Sequence, residues 1–195
     1  MKATQEEVKR IESIAKAVAT KHGYENVSAH FVDFTEFKMR WQRTYKSVNF
    51  EVSDYLVGAP DDVIEDIFEV VCSKFEGNTD RTYKPSTGKY LCDPHFAGAH
   101  RRTFLARKKS VAKKYTTFKG TAVHFSKTPF VMHQLAQSSA LMNVIVLNKE
   151  FENESEDFIL NAIKHEYNKI QSGREMFGQT PKYVEYDRSV IADYI

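Results

Sequence analysis

His165 and Glu166 stand side by side, and Lys169 follows four residues after the histidine. Residues four apart on a helix project from one face. Two imidazoles in those positions bind a single Zn²⁺, and a glutamate beside the first acts as general base on the metal-bound water. The chain carries the first half of that arrangement, with His165 as the metal ligand and Glu166 as the base, and alters the second. A protonated ammonium at position 169 cannot ligate a cation and repels one. On spacing alone, the stronger reading is an ordinary surface His-Glu pair with Lys169 one helical turn away.

The segment that must position these residues is Phe158 to Gly173. Ile159, Ile163, Tyr167 and Ile170 recur at three- and four-residue spacing and predict one amphipathic helix. Ser155 or Asn153 is placed to cap it, Glu156 and Asp157 suit its positive end, and Gly173 is expected just past its C-terminus. Leu141 to Leu147 is apolar on both faces, as a central strand is. Further upstream, the spacing predicts helices over residues 3–22 and after Ala59-Pro60, with the second closed by Gly77. Strands are predicted over 27–34, 38–45, 47–53 and 121–126. Asn78 to Asp93 reads as a loop and His100 to Lys114 as a basic helix.

These elements amount to a single α+β domain over residues 1–195, long enough for one buried core. Two cysteines, Cys72 and Cys92, are too few for a disulfide framework and fit a reduced, cytoplasmic setting. No apolar run approaches the ~20 residues of a membrane helix, so no membrane partner is expected. The net charge of +2 conceals an asymmetry. Residues 94–149 contain ten Lys and Arg and no Asp or Glu, leaving 18 cations against 26 acids elsewhere. Arg101, Arg102, Arg107, Lys108, Lys109, Lys113 and Lys114 concentrate this charge and suit phosphate contacts with nucleic acid or another polyanion. The acidic stretch Asp61–Glu76 is the alternative, intramolecular partner.

Other constellations carry less. Cys92 and His95 form a lone C-x-x-H with His100 nearby, which is weak as metal spacing. Ser138, Ser139 and Cys72 lack the context of a nucleophile. Trp41 with Arg40, Arg43 and Lys46 reads more readily as a strand with aromatic and basic faces than as a stacking platform.

Several separate segments nonetheless carry one resemblance. Phe37 to Trp41 with Arg43 and Tyr45 precedes Phe50-Glu51-Val52-Ser53-Asp54-Tyr55-Leu56 and Ala59-Pro60, which matches F-x-V-S-D-Y-L-x-x-A-P. Arg102, Phe104, Leu105 and Arg107 follow, and then Ser138 to Leu147 leads into His165, Glu166, Ile170 and Gly173. In this order the chain resembles a family of small microbial zincin-like metallopeptidases, distantly related to SprT-like and minimal gluzincin-type proteins. The resemblance implies a zincin-like α+β fold, a twisted sheet packed on helices, with residues 156–172 as the active-site-type helix. It also implies relic roles for His165 as zinc ligand and Glu166 as general base. The departures are that Lys169 replaces the second histidine, and that Gly178 to Tyr183 lacks the histidine of the family's G-x-x-H-T-P-x-F stretch. Glu185 and Asp187 are the remaining candidates for a third ligand, and nothing replaces the second. The expectation is a metallopeptidase-like pseudoenzyme without a bound cofactor. The alternatives are a polyanion-binding module over residues 101–119, or a hydrolase with an unconventional zinc site.

Overall fold

Apolar residues at helical spacing build the first element, α1 (Gln5–Lys21), whose buried stripe is Ile11, Ile14, Ala15, Val18 and Ala19. Thr4 caps its N-terminus by accepting from the Glu7 amide, and Gly23 follows its end at φ +84°. The computed structural model of the chain describes residues 3–108 and 111–195, with the backbone alone at 111–115. The fold is α+β, with five α-helices and two small mixed sheets among the described residues. The chain divides into two compact units, residues 1–90 and 91–195.

In the first unit, β1 (Asn26–Val32), β2 (Met39–Arg43) and β3 (Ser47–Ser53) form a sheet of order β1-β3-β2. β1 runs parallel to β3 and β2 antiparallel to it. The alternation expected over 47–53 is observed, with Val48, Phe50 and Val52 inward. The next helix, α2 (Asp61–Phe75), packs against α1. Phe50 of the sheet meets Phe68 of α2 edge-on at 4.9 Å between ring centroids. Acids of α2 are paired within this unit. Asp61 takes Arg10, Glu69 takes His22, Lys21 and Arg81, and Glu76 takes His22. Trp41 lies against Phe75 at 5.6 Å, Arg43 lies over the same Phe75 ring, and Arg40 reaches Glu51.

Residues 78–93 are more than the expected loop. Pro85 opens a short helix, α3 (Pro85–Leu91), because its fixed φ suits a first turn, and Thr87, Leu91 and Cys92 are buried.

The second unit begins with α4 (Pro94–Arg107), capped by Asp93, which accepts from the His95 amide. The basic helix expected over 100–114 is corrected here. α4 ends at Arg107, and the chain re-enters as a strand, β4 (Val111–Phe118). The aromatic and β-branched residues of YTTF favour a pleated surface and outweigh the run of lysines. β4 turns at Lys119-Gly120, both at positive φ, into β5 (Thr121–Ser126). With β6 (Ala136–Ser139) and β7 (Val144–Leu147) the sheet order is β4-β5-β7-β6, and only the β5–β7 pair is parallel. β7 is central and buried throughout, as its apolar run predicted.

The last helix, α5 (Glu156–Glu175), packs on β6 and β7. Its cap is Ser155, whose Oγ accepts from the Phe158 amide. Phe158, Ile163, Tyr167 and Ile170 join Ile145 and Leu147 in the core; burying such a side chain contributes roughly 1.5–3 kcal/mol. The expected stop at Gly173 is also corrected, because the helix continues to Glu175. A Cβ on Gly173 lies 2.9 Å from Ala140 Cβ, so the glycine is there to let helix and sheet approach closely. No helix among the described residues is long and apolar enough to cross a membrane.

Replacing Gly173 with Ala adds about 1 kcal/mol of helix propensity but overpacks a contact with Ala140 Cβ, which has no side-chain torsion to move it aside, at roughly 1–3 kcal/mol. Gly173→Ala is therefore expected to lower stability in urea unfolding, and Ala140→Gly in the same chain to restore most of the loss. A Gly173→Ala protein more stable than the parent contradicts the close-approach assignment.

Candidate functional site

Glu166 is 1% exposed, deep for a carboxylate. It sits on the face of α5 that meets β6, and each of its oxygens has a donor. Ser138 Oγ, from β6, donates to Oε2 at 2.7 Å, and Lys169 Nζ donates to Oε1 at 2.8 Å. The Lys169 side chain is 53% exposed, so its ammonium reaches the buried charge from the solvent side. An isolated buried carboxylate costs several kcal/mol, and a hydroxyl and an ammonium at hydrogen-bond distance offset that cost.

His165 lies beside this pair. Its Nε2 is 3.7 Å from Glu166 Oε1, beyond hydrogen-bond distance, and its Nδ1 shares a 3.0 Å hydrogen bond with the hydroxyl of Tyr186. The two rings meet edge-on at 5.3 Å. Burial pushes the imidazole pKa down from its ordinary value; Glu166 works in the opposite sense, while Lys169 and Arg188 add to the decrease. His165 is thus a half-buried, hydrogen-bonded residue whose charged form is disfavoured.

Tyr186 is brought there by an extended C-terminal segment that runs antiparallel to α5. Gln171 Oε1 accepts from the Lys182 amide, Asn168 both accepts from the Val184 amide and donates to its carbonyl, and Asn161 accepts from the Asp187 amide. Three helix amides therefore supply the hydrogen bonds that a neighbouring strand otherwise gives an extended chain. Their spacing suits the purpose, since 161, 168 and 171 fall on one stripe of a 3.6-residue helix.

The residues expected as a third metal ligand are otherwise engaged or remote. Asp187 Oδ1 accepts from both the amide and the hydroxyl of Ser189, which hold the carboxyl below its ordinary range. Glu185 is exposed. Among the described residues, no group of three or more His, Cys, Asp or Glu side chains is placed to hold a metal ion. The donors at His165 do not fit zinc, since they comprise one imidazole and one carboxylate already occupied by Lys169 and Ser138. Cys92, His95 and His100 do not converge either. Cys92 is buried, His95 is fully exposed and bonded to Asp93, and His100 packs on Phe96.

The chain was compared with protein-family models, curated proteins and solved structures. The chain matches none of them.

The basic residues fall into several environments. Arg101 turns inward and donates through Nε to the Met142 carbonyl at 2.8 Å. Arg102 is exposed, and Lys108 lies over the Phe104 ring at 5.3 Å. Arg107 is half-buried at the end of α4. Lys109 lies outside the described residues, and Lys113 and Lys114 fall on β4, where only the backbone is described. The residues that sequence reasoning missed are Ser138, Tyr186 and the three amides of α5. The available signal was the polar stripe at 161, 168 and 171 beside an otherwise apolar helix face.

Lys169→Met leaves Glu166 buried with a hydroxyl alone and is expected to cost about 1–3 kcal/mol, discounted from a fully buried pair because the lysine is half exposed. Glu166→Gln in the same chain should recover much of that loss. Additive losses in denaturant unfolding are the contrary result.

Proposed function

We propose that the chain is a metallopeptidase-like scaffold of the zincin-like, SprT-like kind, from which zinc-dependent hydrolysis has been lost. One observation carries this reading: the Lys169 ammonium stands 2.8 Å from Glu166 Oε1. It occupies the turn of α5 where a second imidazole must be, and it supplies the positive charge that a metal otherwise supplies to the neighbouring carboxylate. A glutamate held by an ammonium and a hydroxyl is a structural anion, with no free oxygen facing a water to be activated. The segment expected to bring a third ligand brings Tyr186 instead. His165 and Glu166 persist as packing residues with relic identities.

A second reading concerns binding. The stretch from 94 to 149 lacks any acid, and Arg102 and Lys127 on it are exposed, which supports a polyanion or nucleic-acid partner through phosphate contacts. The acids Asp61, Glu69 and Glu76, considered as an internal counter-charge, have partners within their own unit. A cytoplasmic setting is supported by Cys72 and Cys92 being free, buried thiols.

Metal analysis after incubation with zinc and exhaustive dialysis tests the first reading. The expected result is no stoichiometric zinc and no hydrolysis of an unfolded protein substrate. One zinc per chain, lost in His165→Ala, overturns it.

A further inference from the structure

On the face of α5 away from His165, the second unit contains a cleft of about 580 Å³. Tyr167, Gln171 and Arg174 line it from the helix. At 100° per residue these three lie roughly opposite His165 and Lys169, so the cleft is separate from the relic site. The size falls within the roughly 300–1,000 Å³ of small-molecule sites and is too small for a folded partner.

Its charge is one-sided. Arg101, Lys119, Arg174 and Lys182 line it, and no Asp or Glu does among the described residues. They come from four different places in the chain: α4, the β4–β5 turn, α5 and the extended C-terminal segment. None of the four has a carboxylate partner among the described residues. The two arginines are fixed by backbone carbonyls, Arg101 by Met142 and Arg174 by Cys92 at 2.8 Å each. Each is oriented through one part of its guanidinium, leaving other N–H donors for a ligand. Arg101 is partly buried, and burial alone pushes its pKa down, with no nearby acid to relieve it. Pro94 and Gly98, near the start of the 14-residue α4, lie on the same wall.

Two half-buried arginines and two exposed lysines that converge without a counter-ion set up a positive field that an anion would complete. We propose that this cleft binds a small phosphate-bearing molecule of nucleotide size, with a diphosphate or equivalent charge held between Arg101, Lys119, Arg174 and Lys182. Gln179 and Thr180 on the rim supply uncharged hydrogen-bonding groups for the remainder of the ligand. This site stands apart from the polyanion reading, because Arg174 and Lys182 lie outside the basic segment and the pocket takes a discrete ligand rather than a strand.

Calorimetric titration of the full chain with inorganic pyrophosphate and with a nucleoside diphosphate, both without added metal, tests it. Lys119→Asn with Lys182→Gln is the informative variant. Asparagine tolerates the left-handed φ of 48° at position 119, and both side chains are exposed. Saturable one-to-one binding is expected, weakened at least about tenfold in this variant at unchanged melting temperature. A chain with Ala at Lys108, Lys109, Lys113 and Lys114 should keep that binding while losing salt-sensitive retention on heparin, the property that belongs to the polyanion reading. No saturable binding of either ligand, or binding insensitive to the double variant, or binding lost only with the four-lysine variant, overturns the proposal.

Discussion

The buried negative charge of Glu166 is the constraint around which the second unit is arranged. Placing a carboxylate at 1% exposure is tolerable only if both oxygens are satisfied and the charge is met. Ser138 on the sheet and Lys169 on the helix do this together, which ties α5 to β6 at a fixed height. Gly173 then allows the last turns of the helix to lie against Ala140. Each oxygen of Glu166 is thereby engaged, one by a hydroxyl and the other by an ammonium.

The same helix serves three neighbours with three faces. Its apolar stripe closes the core, its amide stripe at Asn161, Asn168 and Gln171 holds the C-terminal segment, and Tyr167, Gln171 and Arg174 border the cationic cleft. The C-terminal segment links these arrangements. It brings Tyr186 to His165 at one end and Lys182 to the cleft at the other.

Much of this was legible in the sequence where one period dominated. The alternation of Val48, Phe50 and Val52, the stripes of α1, α2 and α5, and the two-sided apolar run of β7 each fix an element, because side-chain burial drives them. The helix expected over 100–114 stops at Arg107, because charge patterning suggests a continuing helix while Tyr115, Thr116, Thr117 and Phe118 draw the preceding residues into a strand. Gly173 reads as a helix stop in the sequence because its reason, a close approach to Ala140, involves a residue 33 positions away. The site was half legible. Lys169 is by type a cation that does not ligate a metal, but the bond from Ser138 to Glu166 and the Tyr186 contact depend on tertiary placement. The cleft could not be read at all, since its four cations are dispersed over more than 80 residues and converge only in the fold.

The central claim is that an ammonium, not a metal, neutralises Glu166. Diffraction recorded at the zinc absorption edge from crystals soaked in zinc tests it most directly. The account predicts no anomalous peak at His165 Nε2, with Lys169 still bonded to Glu166. An ordered zinc within about 2.0–2.1 Å of that nitrogen, with Lys169 swung away and Glu166 turned toward a metal-bound water, contradicts it.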